Sequence, residues 1–165
     1  MAKPAADIRR FDPSDGAQRG VPGEILRSVP EWFGIESATQ QYIEEAAQKP
    51  TWIAWVEGTG RGFITLTNHF PGRSGEIHCI AVRGGQHGQG VGRALVEHVE
   101  DVLRREGARY LQVKTLGPSR PSEAYEKTRR FYEAMGFVPL EEFLTLWPGN
   151  PALQMVKALG GKQGM

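Results

Sequence analysis

Five glycines fall within nine residues: Gly84, Gly85, Gly88, Gly90 and Gly92. Glycine loses more conformational freedom on ordering than any other residue, so neither a strand nor a helix interior tolerates such a cluster. What flanks it is regular. Glu76–Val82 (EIHCIAV) is a nearly continuous apolar run that predicts a strand in the middle of a sheet. Gly88–Glu106 predicts a helix, with Val91, Ala94, Leu95, Val99, Val102 and Leu103 on one stripe and Gly107 as its stop. The chain is therefore built around a strand, a glycine-rich loop and a long amphipathic helix.

The remaining segments give a mixed order. Ile8–Phe11 predicts a short strand, Pro22–Phe33 broken helical turns, and Glu36–Gln48 a helix with Ala38, Tyr42, Ile43 and Ala46 in phase. Thr51–Glu57 and Gly62–Asn68 predict a hairpin around Gly58–Gly60, with a further turn at Pro71–Gly75. Tyr110–Leu116 predicts a strand, Gly117–Pro121 a loop and Glu123–Met135 a helix capped by Gly136, onto which Phe137 folds back. Val138–Leu146 and Ala152–Leu159 predict two last strands around a Pro-Gly-Asn-Pro turn at 148–151. The pattern is α/β in composition and α+β in order, with mostly antiparallel strands. A single domain over 1–165 is expected, its core at about 7–159 and its ends, 1–6 and 160–165, loose.

Composition removes several function classes. The net charge is +1, which supplies no basic field for nucleic acid. Cys79 is the sole cysteine, so neither an internal disulfide nor a cysteine-rich metal site can form, and no metal is expected. No apolar stretch approaches the roughly 20 residues of a membrane helix. Met1–Asp12 lacks the apolar region of a signal peptide, and a cytoplasmic location is expected.

A glycine loop opening a helix suits a phosphate. Unpaired backbone N–H groups and the positive dipole end meet there, and glycines let the anion reach the backbone. A Walker loop is excluded because no Gly-Lys-Ser/Thr occurs. A dinucleotide fingerprint fails at its sixth place, occupied by Arg93 when counted from Gly88 and by Leu95 when counted from Gly90. The arrangement that fits is His87-Gly88-Gln89-Gly90-Val91-Gly92-Arg93-Ala94-Leu95, followed later by Arg130-Phe131-Tyr132-Glu133-Ala134-Met135-Gly136-Phe137. With these two blocks in this order, the chain resembles the GNAT superfamily of acyl-CoA-dependent N-acetyltransferases over residues 50–160. His87 departs from the Arg or Gln usual at the head of the loop.

The resemblance implies a twisted, mostly antiparallel sheet flanked by helices, whose central strands splay so that acetyl-CoA enters between them. The pantetheine arm would pair with Ile80, Ala81 and Val82. His87, Gly88, Gln89, Gly90, Val91, Gly92 and Arg93 would hold the pyrophosphate. Tyr132 matches the family tyrosine that gives a proton to the departing thiolate. Glu76 is the first candidate for the base that deprotonates the amine. His78, which shares its strand face if no bulge intervenes, is the second.

Acceptor contacts are expected from Trp32 and Phe33, and from the loop Lys114–Tyr125 through Glu123 and Tyr125. Cys79 reads as a small buried apolar residue, and Arg129 and Arg130 as a solvated helix face. The expected activity is direct transfer of acetyl from acetyl-CoA to a primary amine. An acyl-CoA-binding sensor or interaction module of the same fold stands as the alternative. The sequence leaves the amine unnamed and a homodimer open.

Overall fold

The computed structural model describes residues 5–160, so most of the loose ends expected at 1–6 and 160–165 lies outside the described residues. The elements are β1 (Asp7–Arg10), α1 (Val21–Arg27), α2 (Glu36–Gln48), β2 (Thr51–Val56), β3 (Thr59–Phe70), β4 (Ser74–Val82), α3 (Val91–Arg105), β5 (Tyr110–Leu116), α4 (Glu123–Ala134), β6 (Val138–Trp147) and β7 (Asn150–Ala158). The strands form one seven-stranded sheet in the order β1-β2-β3-β4-β5-β7-β6. β1–β2, β2–β3, β5–β7 and β6–β7 are antiparallel, and β4–β5 is parallel. The mixed, mostly antiparallel sheet expected from the sequence is present.

Two hairpins are tighter than expected. Val56 pairs with Thr59, so the first turn is Glu57-Gly58, with φ of 50° and 79°. Two left-handed residues suit the twist of the flanking strands. Trp147 pairs with Asn150, which reduces the second turn to Pro148-Gly149. β3 accordingly begins at Thr59, earlier than the expected Gly62, and continues to Phe70.

The chain divides into two compact units, with β3, β4 and α3 running through both. In the first, which takes residues up to Thr67 and His78–Val99, Ile25 and Leu26 of α1 and Ala46 of α2 pack with Phe11, Ile53, Phe63, Cys79 and Ala81. Pro22 sits in the first turn of α1, where a missing N–H costs nothing. The start of α3 lies close against β3: a Cβ on Gly62 would stand 3.0 Å from a methyl of Val91 and 3.1 Å from one of Leu95. In the second unit, Asn68–Ile77 with the residues from Glu100 on, β4 pairs with β5 from Ser74↔Tyr110 to Ile77↔Val113. β5 pairs with β7 over its whole length.

α4 ends as the sequence predicts. Gly136 is left-handed at φ 98°, the Phe137 N–H donates to the Tyr132 carbonyl at 3.0 Å, and the Phe137 ring meets Tyr132 edge-on at 5.4 Å. β4 departs from a run buried on both sides. Gly75, Ile77, Cys79 and Ala81 are buried, while Glu76, His78, Ile80 and Val82 between them are half-buried. That alternation leaves one set of β4 side chains available for chemistry.

Candidate active site

In the first unit the glycine loop is fixed at its base. The Arg83 N–H donates to the Arg61 carbonyl at 2.7 Å, and the Arg83 Nε donates to the Gly60 carbonyl at 3.0 Å. The Gly84 N–H donates to Ser28 Oγ at 2.8 Å. A Cβ on Gly84 would stand 2.4 Å from the Ser28 carbonyl oxygen, so this crossing of two backbones needs glycine. Arg61 donates to Gln86. Gly85, Gly88 and Gly90 are left-handed at φ 80°, 79° and 84°, with open space where their Cβ atoms would be.

Those left-handed residues correct the expected start of α3 from Gly88 to Val91. The first helical bond runs from the Ala94 N–H to the Gly90 carbonyl at 3.0 Å. Among the described residues, the N–H groups of Val91, Gly92 and Arg93 precede the first helical bond and have no intrahelical partner. The Arg93 guanidinium is exposed and lies 3.6 Å from Glu97. Gln89 is exposed beside Gly88 and Gly90. Open glycines, first-turn amides and an adjacent cation fit a pyrophosphate.

His87 has a definite place despite departing from the expected residue type. Its Nε2 donates to the Val82 carbonyl at 3.0 Å, and its ring meets Trp32 edge-on at 5.4 Å. The imidazole thus ties the loop back to the end of β4, and Trp32 packs on the loop.

Further along β4, His78 Nε2 lies 2.9 Å from Glu45 Oε1 on α2, both side chains being about three-quarters buried. A carboxylate accepts, so Nε2 carries the proton. The His78 ring also packs on Tyr42 at 5.6 Å, and Tyr42 on Phe33 at 5.6 Å. Phe33 belongs to the edge of the core cluster, whereas Trp32 reaches the glycine loop. Cys79 is buried, and burial, followed by the charge of Glu45, pushes its thiol far above the ordinary range. Such a thiol is no nucleophile at neutral pH.

In the second unit Glu76 is held on both oxygens. Oε1 accepts from His69 Nε2 at 2.5 Å and Oε2 from Lys114 Nζ at 3.0 Å, with the Glu76 side chain 12% exposed. Tyr132 is buried at 3% exposure, its ring edge-on to Phe131 and to Phe137. Ser122 caps α4 by accepting from the Tyr125 N–H at 3.3 Å. Glu123 is exposed in the first turn, where a negative charge suits the dipole, and Tyr125 is half-buried. Arg129 donates to the Leu116 carbonyl at 2.7 Å, and Arg130 pairs with Glu126.

The residue pattern and the fold are matched by comparison. The sequence model of the Acetyltransferase (GNAT) family fits residues 24–137. The chain belongs to the GNAT acetyltransferase family. A mycothiol acetyltransferase of Beutenbergia cavernae is 30% identical over 90 residues, 54% of this chain and 28% of that protein. The GNAT chain thus matches less than a third of the length of that relative. A putative GNAT acetyltransferase from Desulfovibrio desulfuricans superposes with a TM-score of 0.77 at 22% identity, covering 94% of this chain and all of that one. An aminoglycoside 6′-N-acetyltransferase complexed with coenzyme A superposes at 0.74 with 18% identity, covering 94% and 98%. These likenesses establish the GNAT fold.

Several contacts of this GNAT chain escape a reading of sequence alone. Glu45 is one of many polar residues on α2, and its contact with a histidine 33 positions later has no local signal. Lys114 reaches Glu76 from 38 residues away. His69 had a signal: it stands seven residues before Glu76 across the expected turn at 71–75.

Proposed function

We propose that the protein moves the acetyl group of acetyl-CoA to a primary amine. The observation that carries this reading is the loop at 84–90, whose left-handed glycines deliver the chain to a helix whose first-turn N–H groups at Val91–Arg93 precede its first helical bond. Pyrophosphate oxygens would accept from these amides, with Arg93 adding charge. The pantetheine would lie along Ile80–Val82 in the manner of an added strand.

The chemistry then needs an unprotonated amine, attack on the thioester carbon, and a proton for the thiolate. Glu76 and His78 are the basic side chains of β4 proposed for the first need, and Tyr132 is proposed for the last. Trp32, Phe33, Glu123 and Tyr125 are proposed to shape the acceptor side, and a cytoplasmic location is proposed with them. Mycothiol and aminoglycosides, from the names of the relatives, define the first acceptor classes to try.

Isothermal titration with acetyl-CoA tests the reading, with saturable binding expected and no binding at millimolar ligand overturning it. The burial of Tyr132 favours a second reading, an acyl-CoA sensor without turnover. Binding of acetyl-CoA without thiol release on any amine would select it.

A further inference from the structure

We propose that Glu45 is a positioning residue that makes His78, rather than Glu76, the base of the acetyl transfer; this rests on the acetyl-transfer reading above. The two candidate bases of β4 have opposite surroundings. Both oxygens of Glu76 are engaged by donors, the Lys114 ammonium and the His69 imidazole. Taking a proton there would forfeit charge-assisted bonds.

His78 is bound the other way round. Among the described residues, the one hydrogen bond of its side chain is to the Glu45 carboxylate, which fixes the hydrogen on Nε2. Nδ1 is left with its lone pair. Tyr42 packs on the ring, and Phe33 backs Tyr42, so the imidazole is held in orientation by packing as well as by charge. Glu45 and Tyr42 both come from α2, and His78 lies two residues before the Ile80–Val82 segment assigned to pantetheine.

The transfer balances as follows. The ammonium form of the acceptor gives one proton to His78 Nδ1, and the imidazolium later releases it to solvent. The amine nitrogen forms a C–N bond to the thioester carbon. The C–S bond breaks, and the second proton lost by the nitrogen ends on the thiolate. Acetyl-CoA and the ammonium yield the amide, CoA thiol and one proton.

A double-mutant cycle tests the assignment, because a group acting only through His78 has nothing to contribute once His78 is gone. The assay is thiol release with acetyl-CoA and the best of kanamycin, spermidine and a peptide with a free N-terminus. Glu45→Gln is expected to lower kcat about 10-fold with the KM for acetyl-CoA unchanged, and His78→Ala to lower it about 100-fold or more. The double variant is expected to match His78→Ala. A separate cost of Glu45→Gln in the His78→Ala background overturns the positioning role, and so does loss of turnover in Glu76→Gln with retention in His78→Ala. ¹⁵N NMR of the wild-type protein gives a readout that needs no variant to fold: the Nε2–H tautomer of His78 is expected, and Nδ1–H overturns the proposal. Acetyl-CoA binding without turnover of any of the three amines would overturn the acetyl-transfer reading itself, a result distinct from a failed cycle.

Discussion

At Gly84 one methyl group is too much. Its Cβ would stand 2.4 Å from the Ser28 carbonyl oxygen, and backbone cannot swing aside as a side chain can. Gly84→Ala is therefore expected to destabilise the fold by about 1–3 kcal/mol, read from urea denaturation. Glu142 makes a prediction with a sign. Its carboxylate accepts from the Ser119 hydroxyl at 2.6 Å and the Ser119 N–H at 2.9 Å, and these bonds hold it below the ordinary carboxylate range. A carboxyl group with a depressed folded value adds stability above its unfolded value, and that stability is lost as pH falls through the folded one. Ser119→Ala should thus lower Tm at neutral pH and have little effect under strongly acidic conditions. The sequence exposed the glycine run readily, but the contact that requires Gly84 comes from Ser28, 56 positions away. It concealed Glu142 and Ser119, whose bond spans 23 positions.

At the scale of the element, the start of α3 is the informative case. Hydrophobic periodicity places the helix but is blind to its first residue, since Gly88 and Gly90 continue the spacing without a side chain. Left-handed φ values at both glycines move the start to Val91. Gly90→Ala would force alanine to φ 84°, at a cost of about 1–2 kcal/mol. It is expected to weaken acetyl-CoA binding in calorimetry while α3 remains folded by circular dichroism. α4 was legible to its last turn, because Gly136 and Phe137 are a local stop signal. The role of Tyr132 on that helix is a matter of kinetics. Tyr132→Phe keeps the edge-on packing with Phe137 and removes only the hydroxyl, so a selective loss of kcat is expected if the hydroxyl delivers the proton.

At the scale of the molecule, long-range pairs decide stability. Glu100 is buried on α3, 2.8 Å from Lys157 of β7 and 3.5 Å from Arg104. Lys157→Met would strip that carboxylate of its nearest partner, with an expected cost of about 3–5 kcal/mol by denaturation. By contrast Leu144 of the edge strand β6 is 68% exposed, and Leu144→Lys should leave stability within about 0.5 kcal/mol of the wild type. The sequence by itself determined the element order, the mixed sheet and the phosphate-type loop, because periodicity, glycine stops and the strand–loop–helix junction act over a few residues. It could nominate Glu76 and His78 but not choose between them. The tertiary structure decided which neighbours each acquires: Lys114 and His69 around Glu76, Glu45 and Tyr42 around His78. The difference is physical: a helix start or a turn is encoded by adjacent residues, whereas the charge beside each candidate base arrives from elements far away in the chain.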